Sequence, residues 1–77
     1  MDINIVDILF HVPASLEKQE RSHIERDLQG CDGVLSAHFV PDRPHMLEVA
    51  YNPMTITTGT LREHLNERGL KVSMAGL

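Results

Sequence analysis

The sequence predicts an α+β domain in the order βαββαβ, a four-stranded antiparallel sheet with two helices on one of its faces. Three observations carry that prediction. Segments 5–12, 34–40 and 46–51 alternate apolar and polar residues with the period of a strand. Two other segments place apolar residues at helical spacing between a capping residue and a glycine. Pro, Gly, Asp or Asn stands at each boundary, where the chain must turn or stop.

The first strand, "IVDILFHV", puts Val6, Ile8, Phe10 and Val12 on one face and Asp7, Leu9 and His11 on the other, and Pro13 ends it. Ser15 is the expected N-cap of a helix running to about Leu28, with Leu16, Ile24 and Leu28 along its apolar side. "QGCDG" breaks that helix. "VLSAHFV" follows as a second strand whose inward residues, Val34, Ala37 and Phe39, require an irregularity near its start. The turn "PDRPH" leads to "MLEVAY", with Leu47, Val49 and Tyr51 facing inward. Ile56 and Leu61 bracket Thr57 as a hydrophobic staple around an N-cap, opening a helix with Leu61 and Leu65 buried and Gly69 closing it. A last strand, "LKVSM", offers Leu70 and Val72 to the core. This is the split βαβ, or ferredoxin-like, arrangement.

A chain of 77 residues has room for a single domain, 1–77, and buries only about 60% of its unfolded surface, so the core must be economical. A net charge of -4 argues against nucleic acid, whose binding depends on clustered Lys and Arg. No apolar run is long enough for a membrane span, and no basic start precedes an apolar run, so a cytoplasmic, non-membrane protein is expected. One cysteine, Cys31, cannot form an internal disulfide.

Within this order, "IERDL", "GV", "LEVAYNP" and "LREHLNERGLKV" stand at separations that resemble the heavy-metal-associated domain of copper chaperones and metal-pumping ATPases. Ile24, Glu25, Leu28, Gly33, Val34, Tyr51, Pro53, Leu61, Gly69 and Val72 match or nearly match that family; Asn52 and Leu70 depart mildly. The resemblance implies the fold above and a metal-handling role. It also places the family's Met-x-Cys-x-x-Cys loop on residues 15–20, "SLEKQE", where Glu17 and Glu20 stand in place of the thiolates. Soft Cu(I) prefers sulfur, so a thiolate-type Cu(I) site is not expected here. A hard cation shared by Glu17 and Glu20 is geometrically open. The plainer reading is helix-start electrostatics, with Glu17 positioned to pair with Arg21 one turn on.

If metal handling survives, the histidines are the place to look. In the predicted topology the first strand lies beside the third and the third beside the second. His11, His38, Met46 and Glu48 then project from the sheet face that the helices leave open. His11 and His38, completed by Glu48 or Met46, form the candidate set for a borderline ion such as Zn(II) or Ni(II). Next-nearest strands are about 9–10 Å apart, so the two imidazoles must lean over the third strand to share an ion. A solvated or partner-facing histidine pair is the alternative, and His45 in the adjacent turn supplements the patch or is simply exposed. His23 and His64 read as helix-surface residues, and Cys31 as packing in a turn without a basic neighbour.

The same face carries Leu9, Val40, Met46 and Ala50. This supplies a second function class, a protein partner or a homodimer docked on the sheet without metal. No glycine-rich phosphate loop or nucleophile elbow is present, so an enzyme is not expected. RNA-recognition domains share the element order but expose strand aromatics, whereas Phe10, Phe39 and Tyr51 are expected to face the core.

Overall fold

The computed structural model describes residues 4–75. β1 (Val6–His11), α1 (Lys18–Gln29), β2 (Val34–Val40), β3 (Arg43–Tyr51), α2 (Thr58–Glu67) and β4 (Ser73–Met74) follow in the predicted order. The strands form one antiparallel sheet, β2-β3-β1-β4. Ile8, Phe10, Val12, Ala37, Phe39, Leu47, Val49 and Tyr51 from the sheet side are buried against Ile24 and Leu28 of α1 and Leu61 and Leu65 of α2. All three aromatic rings lie in this core. Val6 is the exception to the predicted inward set, because it begins β1 and remains 39% exposed.

Local chemistry explains where the helices start and stop. Thr57 accepts a hydrogen bond from the Thr60 N–H at 3.1 Å, and Ile56 and Leu61 on either side of this cap are both buried. At the other end the Gly69 N–H donates to the Asn66 carbonyl and the Leu70 N–H to the Leu65 carbonyl. That double closure requires a left-handed residue, supplied by Gly69 at φ +84. α1 begins later than expected: its cap is Glu17, not Ser15. Leu16 packs against the core, and the Glu20 carboxylate turns back to accept from the Glu17 N–H at 3.3 Å.

Three further differences have physical causes. β3 starts at Arg43 because Val40 and Arg43 pair directly across Pro41 and Asp42. Residues 44–46 then lack partners on β2, an irregular stretch in which Pro44 is tolerated without a ladder N–H. The irregularity expected near the start of β2 is present, between Val34 and Ser36. β4 shrinks to two residues because the α2 closure draws Leu70 into the core before the chain reaches the β1 edge.

α1 also covers the outer edge of β2. The Phe39 N–H donates to Glu25 Oε2 at 2.7 Å, and Gln29 Nε2 donates to the Ala37 carbonyl at 2.9 Å. Backbone groups that would otherwise invite another strand are thereby occupied. Among the described residues, no helix is long and apolar enough to cross a membrane.

Candidate functional site

Strand register builds the open face of the sheet in rows. Asp7, Ala50 and Ser36 form one, and Leu9, Glu48 and His38 the next. Ser73, His11 and Met46 form the third. The second row brings two of the predicted ligands together, with His38 Nε2 3.1 Å from Glu48 Oε1 and both side chains partly exposed. His11 and Met46, the other two, are cross-strand partners in the row beyond.

His11 leans toward a different imidazole. Its ring centroid lies 6.2 Å from that of His45. Because His45 begins the turn-end of the β1–β3 ladder, its carbonyl accepts from the Val12 N–H at 2.8 Å and its Nδ1 lies 2.8 Å from the Val12 carbonyl. His45 is therefore tied to backbone on both sides. Among the described residues, no three His, Cys, Asp or Glu side chains converge on one point. The two expected leading ligands, His11 and His38, thus stand in different rows, and the close contact is between His38 and Glu48.

The loop before α1 is occupied by its own helix start. Glu20 is engaged with the Glu17 N–H. The expected Glu17–Arg21 pair gives way to a bond from the Arg21 guanidinium to the Leu16 carbonyl at 2.6 Å. That bond fastens the loop to the helix and leaves the two carboxylates without a common focus.

On the helix side the structure joins two residues that sequence reasoning kept apart. Cys31 Sγ lies 3.7 Å from His64 Nε2 and 3.6 Å from the Asp27 carbonyl oxygen. Burial pushes the Cys31 thiol above its ordinary pKa, and the negative charge of Asp27 adds to the effect. The neutral thiol is favoured. Asp27 itself is held by the Arg68 guanidinium. No local motif announces this pair, since 33 residues separate Cys31 from His64; only the packing of α1 beside α2 makes them neighbours.

No protein-family model and no curated protein sequence matches the chain. Solved structures do. Oxidized MerP from Ralstonia metallidurans aligns at TM-score 0.81 and 11% identity, over 94% of this chain and 99% of that one. The N-terminal domain of a potential copper-translocating P-type ATPase from Bacillus subtilis, in its Cu(I)-loaded state, gives TM-score 0.81 and 23% identity, over 91% and 86%. A copper-binding domain from HMA7, a P-type ATPase, gives 0.80 and 16%, over 91% and 93%. At these identities the likeness establishes the fold: this chain is a ferredoxin-like βαββαβ sandwich built on the same plan as those domains.

Proposed function

We propose that the protein is a small non-enzymatic metal-handling domain that binds or traffics a borderline divalent ion, Zn(II) or Ni(II), on its open sheet face. His38 and Glu48 are the leading chelate; His11 and Met46 stand one row away and join it once their side chains turn toward the ion. The observation behind this reading is the 3.1 Å approach of His38 Nε2 to Glu48 Oε1. Ligand distances of 2.0–2.2 Å set such atoms about 3.0 Å apart at a right angle and about 3.4 Å apart at a tetrahedral one, so the pair already spans a usable bite. Imidazole and carboxylate suit Zn(II) and Ni(II) better than Cu(I). Solved domains of this fold described as copper binding support metal handling as a use of the scaffold; the ligand chemistry here is a different one. Amide NMR spectra recorded during Zn(II), Ni(II) and anaerobic Cu(I) titrations test it. Saturable shifts at residues 9–11, 38–40 and 45–48, abolished by His38→Ala and weakened by His11→Ala, are expected. No saturable response at these residues to any of the three ions overturns the proposal.

A second reading rests on the half-buried Leu9, Met46 and Ala50 of the same face; Val40, expected beside them, follows the irregularity after Phe39 and lines a groove with Lys18, Arg21 and Ser22 of α1 instead. In that reading the face docks a second copy of the chain and metal plays no part. Sedimentation equilibrium of Leu9→Ser and Met46→Ser variants separates the two: a dimer lost in both favours docking, and a monomer throughout removes it.

A further inference from the structure

The Cys31 and His64 pair lies on the helix side of the molecule, away from the open sheet face, and no part of the reading above uses it. We propose that these two side chains form a separate chelate for a thiophilic divalent cation of the Zn(II) class. A Zn–S bond of about 2.3 Å and a Zn–N bond of about 2.0–2.1 Å, meeting at a tetrahedral angle, place sulfur and nitrogen about 3.6 Å apart. The observed separation is 3.7 Å. Sulfur and imidazole are ligands that Zn(II) accepts together. A cation entering between them takes the sulfur lone pair as the thiol proton leaves to solvent, and Nε2 binds in its neutral form.

The surroundings carry both signs, because the Arg68 guanidinium lines the same groove as His64 and Asp27. Cys31 follows the carboxyl end of α1, where the carbonyls of residues 26–28 close on Gly30 and carry the negative pole of the helix. Asp27 adds negative charge near the sulfur. Because its carboxylate is engaged by Arg68, the protein supplies two ligands and water fills the remaining positions. His64 is exposed and Cys31 half-buried, so the pair is reachable from solvent.

Co(II) is the probe, because a thiolate ligand gives it a near-ultraviolet charge-transfer band that nitrogen and oxygen ligands do not. The wild-type chain should develop the band and lose it on adding Zn(II). Cys31→Ser should abolish it. His64→Ala, at an exposed position that leaves the fold intact, should weaken Co(II) binding by more than about 100-fold, since loss of an outer-shell partner alone costs roughly 10–100-fold. The His11→Ala/His38→Ala double variant should keep the band at wild-type affinity, which separates this site from the sheet-face one. Either of two results overturns the proposal: no band in the wild-type chain under excess Co(II), or unchanged Co(II) affinity in His64→Ala.

Discussion

The two faces of this sheet are built by different rules. On the covered face, position and consequence coincide: Phe10, Leu47 and Val49 are fully buried, and each is inward because strand alternation places it there. On the open face, alternation places His11, His38, Met46 and Glu48 just as reliably, yet only His38 and Glu48 meet. Burial needs only the correct side of the sheet. Chelation needs side-chain atoms to converge within a few tenths of an ångström, and that depends on rotamers and on competing hydrogen bonds. A residue pattern can therefore specify a core and leave a site open.

Adjacent residues on β1 give the sharpest test of that contrast. Phe10→Ala should destabilise by about 3–5 kcal/mol, because a large side chain is removed from a packed interior and leaves a cavity. Leu9→Ala, one residue earlier on the open face, should cost less than about 1 kcal/mol. Urea midpoints of the two variants measure both. Equal losses would mean that the open face is covered in solution, as the docked-dimer reading requires.

The covered face was legible because several local signals agree with the global pattern. Thr57, Ile56 and Leu61 mark the start of α2 and Gly69 its end, and each does what its chemistry predicts. Ser15 misled because a good capping residue competes with the need to bury Leu16, and the core took Leu16. The start of β3 was hidden because Pro44 argues against a strand unless an irregularity leaves its N–H position unpaired. The His38–Glu48 contact follows from register and parity, so it was within reach of the sequence. Cys31 and His64 were not: they meet through helix packing, which fixes no register that the residue pattern reveals.

Glycines probe the same difference at intermediate magnitude. Gly33 and Gly69 both have positive φ, +95 and +84, yet a Cβ on Gly33 would come within 2.9 Å of Ile56 Cγ2 and Thr55 Cβ, while one on Gly69 meets nothing within 4 Å. Gly69→Ala should cost only the backbone strain, about 1–2 kcal/mol. Gly33→Ala adds overpacking against the segment that leads into α2 and should cost about 2–4 kcal/mol. Thermal denaturation of the two variants checks the order. A reversal would show that residues 55 and 56 yield easily and that the covered side is more forgiving than its burial implies.

The smallest effect bears most on function. Without metal, the His38–Glu48 pair is a partly exposed contact on the sheet surface, and a double-mutant cycle with His38→Ala and Glu48→Ala should return a coupling of about 0–1 kcal/mol. With Zn(II) present at a hundred times its dissociation constant, the wild-type chain should gain about 2.7 kcal/mol. That gain should fall sharply in either single variant, because each removes half of the close chelate. The apo cycle and the metal-dependent gain thus measure two different things at one pair of atoms. A Zn(II)-dependent gain that survives both substitutions but vanishes in Cys31→Ser would place the stabilising ion on the helix side. A gain lost with His38 or Glu48 and kept without Cys31 would give the open face a task of its own, carried by a contact that contributes almost nothing to the fold.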